Sequence, residues 1–297
     1  MNEMRQPSRA PRWKRLSLWI LAVVIMLSAA VYQRLTGPTY RLRGQFEAAG
    51  QVYRYRLIRS AYSTHDTLVT VPDPGSEVTG RLYYKRYNTK DEFTAIPLMA
   101  EKGELAARLP AQPAAGKLEY YLVLDLPAGE LRIPETSSEN VIIRFKDPTP
   151  ITVLLPHVLL MFFAILIGVR TAFAALFDPN RMRPLAWVTL ACMTVGGMIL
   201  GPFVQKFSFG EYWTGFPFGY DLTDNKTLIL WIVWLIACFA IGLKPRSKEA
   251  AARATVVVAA LVMMVVYLIP HSLRGSELDY SQLDAGVPAS EAIEVGR

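Results

Sequence analysis

Residues 205–235 read QKFSFGEYWTGFPFGYDLTDNKTLILWIVWL. The segment opens as an aromatic, glycine-rich loop and closes as an apolar run suited to a membrane helix. Asp221, Asp224, Asn225 and Lys226 stand directly against that run. Connecting loops are seldom so aromatic. Tyr212, Trp213, Phe216, Phe218 and Tyr220 can lie on a bilayer interface, where Trp and Tyr concentrate, or cup a flat ligand. Which of the two applies depends on what else the chain delivers to the same level.

Working outward, 52% of the residues are hydrophobic, and they gather into runs at 16–32, 154–177, 185–204, 227–243 and 254–269. Each approaches the roughly 20 residues that cross about 30 Å of hydrocarbon. The fold class expected is a membrane α-helical bundle of about five transmembrane helices with an inserted extracytoplasmic all-β sandwich domain. The division is 1–35, a basic N-terminus and first helix; 36–148, the sandwich; 149–271, a four-helix transmembrane domain; and 272–297, an acidic tail.

The net charge of +7 needs no nucleic acid as partner, because much of it flanks the apolar runs. Arg5, Arg9, Arg12, Lys14 and Arg15 precede the first; the turns 178–184 and 244–248, with Arg253, are short and basic. Short basic turns stay on the cytoplasmic side. The N-terminus is therefore expected in the cytoplasm of a bacterium, with the chain in its inner membrane. The β-domain, the aromatic loop and the C-terminus are expected outside. A cleaved signal peptide has the same basic-then-apolar layout, with Ser28-Ala29-Ala30 as its cleavage candidate. The length of the run and its Tyr32-Gln33-Arg34 end favour a retained anchor.

Residues 36–150 alternate in short segments, 40–46, 52–58, 67–71, 80–87, 104–109, 117–126 and 140–145, separated by turn formers such as Asp73-Pro74-Gly75. Short strands at this spacing predict a sandwich. Such a domain binds a protein partner or acts as a spacer. His65, in Ser63-Thr64-His65-Asp66, reads as a solvated loop residue. Residues 146–150, KDPTP, read as a stiff linker. Cys192 and Cys238 fall inside predicted helices, so no disulfide is expected in the β-domain. Arg170, late in the second run, is expected to snorkel to the headgroups. The sequence holds no phosphate loop, HExxH, Ser-His-Asp set or internal repeat.

His157 follows Pro156 at the start of the second run, and His271 follows Pro270 after the last. In the expected topology both lie at the outer level, with the aromatic loop between them. Two neutral imidazoles can ligate one haem iron, aromatic side chains can cover the macrocycle, and Lys206, Lys226 and Arg274 can pair with its propionates. The candidate cofactor site is His157, His271, Tyr212, Trp213, Phe218, Tyr220, Asp221, Asp224 and Lys226, with His157 and His271 on the metal. Zinc fits less well, because it would need Asp221 or Asp224 as a further ligand.

The stretch FGYDLTDNKTLI, residues 218–229, preceded by Gly210-Glu211-Tyr212-Trp213, resembles the tryptophan-rich loop of haem-handling membrane proteins of cytochrome c assembly. There the signature runs roughly W-x-W-D-P-x-E-N ahead of a hydrophobic helix, and two external histidines flank it, as His157 and His271 do here. Phe218 and Tyr220 stand where two tryptophans would be, Asp224 replaces Glu, and residues 214–217 look inserted. The external domain resembles fibronectin type III or immunoglobulin-like modules. The resemblance implies haem handling or haem binding linked to cytochrome assembly or electron transfer. The alternative is a non-catalytic envelope scaffold or accessory subunit whose sandwich recruits a partner. On that reading the loop is an interfacial anchor, and Asp224-Asn225 cap the helix that follows.

Overall fold

The computed structural model describes residues 11–75, 78–135, 139–244, 249–271 and 275–294. Five helices are long and apolar enough to cross a membrane: α1 Arg12–Thr36, α2 Ile151–Phe177, α3 Pro179–Phe209, α4 Leu222–Ile241 and α5 Glu249–Leu268. A separate β-domain lies between α1 and α2.

Within the bundle α2 packs on α3, α5 and α1, and α4 on α3 and α5. Small residues sit where the helices close up. Ala22 and Ala29 are the buried positions of α1. A Cβ at Gly168 would come within 2.6 Å of Met263, and one at Gly196 within 2.8 Å of the Leu160 Cβ. Between these contacts Trp234, Ile165 and Met263 fill the core.

The helices differ from the sequence expectation in several places. Helix α3 begins at Pro179, so the expected turn over 178–184 shrinks to Asp178. Proline is tolerated in a first helical turn, where its missing N–H is no loss. Over Met193–Leu200 α3 winds as a π-helix around Gly196-Gly197, a winding frequent at functional sites. Helix α4 begins at Leu222, five residues before the expected 227. Its cap is Asp221, whose carboxylate accepts from the Thr223 and Asp224 amides, so Asp224 and Asn225 belong to the first helical turn instead of capping it. Arg5, Arg9, Arg274 and residues 245–248 of the second basic turn lie outside the described residues.

In the β-domain, strands β1 Leu42–Ala48 and β2 Gln51–Leu57 form a hairpin. Strand β4 Thr67–Pro72 pairs with β8 Glu104–Leu109, which pairs with β7 Met99–Glu101. The opposing sheet runs β3 Ser60–Tyr62, β11 Val141–Lys146, β9 Lys117–Leu126, β5 Thr79–Arg86, β6 Thr94–Pro97, with β10 Gly129–Ile133 also on β9. All pairs are antiparallel except β3 with β11. The alternation in β9 places Leu118, Tyr120, Leu122 and Leu124 on the inner face, against Phe46, Leu57, Val71 and Leu109 from the other strands. The seven expected segments became β1, β2, β4, β5, β8, β9 and β11. His65 is exposed in its loop, 3.0 Å from the Thr64 hydroxyl.

The C-terminal segment does not hang free. Strands β12 Glu277–Leu278 and β13 Ile293–Glu294 pair, and the short helix α6 Tyr280–Asp284 lies between them. The Tyr280 hydroxyl accepts from the Lys117 amide at 3.0 Å and donates to its carbonyl at 2.9 Å. Arg86 grips Asp284 and Asp91 together. The tail is thus a strap across the β-domain, with Leu278, Tyr280 and Ala292 as its own small core.

Candidate functional site

A cavity of about 630 Å³ opens where the β-domain meets the helix bundle. That falls within the roughly 300–1,000 Å³ of ordinary ligand pockets. Its lower walls are apolar, with Val158, Met161 and Phe162 of α2, Leu230 of α4 and Tyr267 of α5. Both histidines of the bundle line it. His157 comes from the first turns of α2, and His271 follows the end of α5.

The π-wound stretch of α3 holds His157. Its Nδ1 lies 2.8 Å from the Gly196 carbonyl. A carbonyl only accepts, so Nδ1 carries the proton and Nε2 keeps the lone pair. A ring N–H given to a backbone carbonyl is the usual outer support of a metal-bound histidine. Two side chains fix the segment carrying His271. Gln33 of α1 donates to the Tyr267 carbonyl at 2.7 Å, and Lys226 of α4 donates to the Ile269 carbonyl. Both satisfy carbonyls that a helix end leaves unpaired. His271 exposes surface, and part of that surface lines the cavity. Desolvation by the surrounding protein, then the charges of Lys226 and His157, push its imidazole down to about 4. That direction favours the neutral form, which is the one that can ligate a metal.

Asp221, Asp224 and Lys226 also line the cavity, and the structure gives each a framework role. The second oxygen of Asp221 accepts from the Ser276 amide at 3.2 Å, tying the cap of α4 to the tail. Asp224 accepts from the Thr214 amide at 2.7 Å and from its hydroxyl at 3.2 Å. Asn225 accepts from the Phe216 amide at 2.7 Å. The first turn of α4 therefore holds the aromatic loop by its backbone. Gly215 permits this approach, since a Cβ there would sit 2.7 Å from that of Asp224.

The loop aromatics divide. Trp213 lines the cavity, its indole N–H donating to the Phe216 carbonyl at 3.0 Å. Tyr212, Phe218 and Tyr220 are not among the lining residues and expose 51%, 74% and 71% of their surface. The site as described is thus Trp213 with the two histidines, without the wider aromatic roof. Lys206 donates to the Gly210 carbonyl and is also absent from the lining.

Sequence reasoning missed the cavity's cationic rim. Arg34 and Arg41 come from the end of α1 and the chain after it; Arg59, Arg144 and Lys146 come from the β-domain. Arg144 is buried, donates to the Ser276 carbonyl at 2.8 Å and lies 4.1 Å from the Phe209 ring centre. Among the described residues, Arg34, Arg41, Arg59 and Lys146 form no ion pair. Burial, and then the charges of Arg144 and Arg34, lower the Lys146 pKa. Asp221 and Asp224 face the same space, and the charges of Asp221 and Glu277 act on Arg144. Neither carboxylate lining the cavity pairs with Arg34, Arg41, Arg59 or Lys146, and this excess of cations favours an anionic guest. No signal in the strands marks these residues, because only the docking of the β-domain brings them together.

Among the described residues no three His, Cys, Asp or Glu side chains converge as metal ligands. The donor set is two imidazoles, which suits a metal already held in a macrocycle better than a bare ion. No protein-family model and no curated protein matches the chain.

Proposed function

We propose that this is a multi-pass protein of the bacterial inner membrane that binds haem, at least transiently, in the cavity between its β-domain and its helices. The observation that carries this reading is that His157 and His271, 114 positions apart in the sequence, line one cavity. The basic N-terminal flank and the arginines around Asp178 support a cytoplasmic N-terminus, with the β-domain, the cavity and the strap on the outer side.

Each part of the cavity has a task on this reading. His157, held by the Gly196 carbonyl, and His271, held neutral, would take the iron. Trp213, Met161 and Phe162 would cover apolar macrocycle and exclude water. The rim of Arg34, Arg41, Arg59 and Lys146 would hold the propionates by charge-assisted hydrogen bonds. When bound, haem supplies an iron centre that can be passed on in cytochrome assembly or can carry an electron. The β-domain then serves as a wall of the site.

Haemin titration of the purified protein tests this. A saturable Soret band is expected, weakened at least about tenfold in apparent affinity by His157→Ala or His271→Ala. A band indifferent to both substitutions would overturn the reading. The exposure of Tyr212, Phe216, Phe218 and Tyr220 favours a second reading, in which the loop is an interfacial anchor and the protein an envelope scaffold that recruits a partner. A chain that takes up no haemin would leave that reading standing.

A further inference from the structure

The end of the bundle opposite the β-domain holds a second, smaller cavity, of about 290 Å³, lined by Arg12, Arg15, Trp19, Arg170, Arg181 and Leu185. Four of the six are arginines. Arg170 does not snorkel to the surface as its position in the sequence predicts. It is 2% exposed, and its Nε and Nη1 have no hydrogen-bond partner. Its guanidinium lies 5.5 Å from the Trp19 ring centre. The Nε of Arg15 is likewise buried and unpartnered.

The neighbouring arginines show that this end of the fold can pair its cations. Arg183 makes a two-pronged bond to Glu249, at 2.9 and 2.5 Å, and donates to the Ile241 carbonyl. Arg253 donates to the Ala175 and Leu176 carbonyls at the end of α2. Arg12, Arg15, Arg170 and Arg181 form no ion pair among the described residues. A buried guanidinium with two unpartnered nitrogens is costly. The charge of the buried Asp178 acts on Arg170 without forming an ion pair with it, and one carboxylate near four arginines leaves an excess of positive charge around the cavity.

We propose that this cavity binds the phosphate group of an anionic phospholipid. Guanidinium forks match phosphate oxygens in pairs, and basic pockets between membrane helices take anionic headgroups. The lipid source follows from α1. Its exposed Leu16, Ile20, Val23 and Val24 continue from the cavity along the helix, a surface on which acyl chains can lie. The proposal rests on the helices spanning a bilayer and is independent of haem.

Thermal unfolding of the full chain in neutral detergent tests it, with phosphatidylglycerol, phosphatidylcholine or glycerol phosphate added. A ligand that binds only the folded state raises the unfolding temperature with concentration. Phosphatidylglycerol is expected to stabilise the wild type and Lys14→Gln, a neighbouring basic residue outside the cavity. Arg170→Gln and Arg181→Gln should each need at least about tenfold more lipid for the same shift. If Arg170→Gln fails to fold, the exposed Arg181→Gln decides. An equal shift with glycerol phosphate would keep the phosphate site and assign it to a soluble ligand. Equal responses in all variants, or no more shift with phosphatidylglycerol than with phosphatidylcholine, would overturn the proposal.

Discussion

Replacing Asp224 by Ala should release the aromatic loop without unfolding the bundle. Asp224 is 7% exposed, and one of its oxygens accepts both the amide and the hydroxyl of Thr214, itself fully buried. A hydrogen bond to a charged group contributes about 1.5–3 kcal/mol, and a buried amide left without a partner costs about 1–3 kcal/mol. Together these place the loss near 3 kcal/mol, or about 150-fold in the population of the open loop. Asp224→Asn keeps a neutral acceptor and should lose about 1 kcal/mol. Hydrogen exchange of residues 211–221 reads this directly, because local opening limits amide exchange there. The amides of Thr214, Phe216 and Asp221 should exchange faster in the order wild type, Asn, Ala, while the centre of α4 stays protected. Unchanged exchange in Asp224→Ala would refute the reasoning that the first turn of α4 holds the loop.

Gly215→Ala should loosen the same amides, because its Cβ would meet the Asp224 Cβ at 2.7 Å and the Asn225 Oδ1 at 2.9 Å; unaltered exchange would show that the approach is not tight. Tyr280→Phe removes the group that pairs with both the amide and the carbonyl of Lys117, so limited proteolysis should cut within 275–294 sooner. The strap should also loosen in acid. Hydrogen bonding to Arg86 lowers the pKa of both Asp91 and Asp284. A carboxylate with a depressed folded pKa stabilises fully above its unfolded value, near 3.8, and loses that contribution as pH falls through the folded one. Tail cleavage by an acid-active protease should therefore rise below about pH 4, and Asp284→Asn should flatten the rise.

The apolar runs were legible because a bilayer-length stretch has few other uses, and all five became helices. The β9 strand was legible from its alternation, Leu118 to Leu124. The short strands β3, β6, β7 and β10 were not, because three to five residues carry too little pattern. The start of α4 was missed because Asp224-Asn225 looks like a cap; Asp221 has the better claim, being free of the helix while its carboxylate reaches two amides. The two histidines could be placed at one level from topology alone. Which loop aromatics face inward could not, since an irregular loop has no period, and only Trp213 turns to the cavity. The arginine rim and the burial of Arg170 depend on packing between segments far apart in sequence. Neither leaves a local trace.

If His157 and His271 serve one site, the spin state of the ferric haemin complex reports it. Two imidazoles on one iron give a low-spin spectrum. A low-spin complex is expected for the wild type, with a shift toward high spin in His157→Ala and in His271→Ala alike, and return to low spin when free imidazole is added to either variant. A spectrum identical in the wild type and both variants would contradict a shared site.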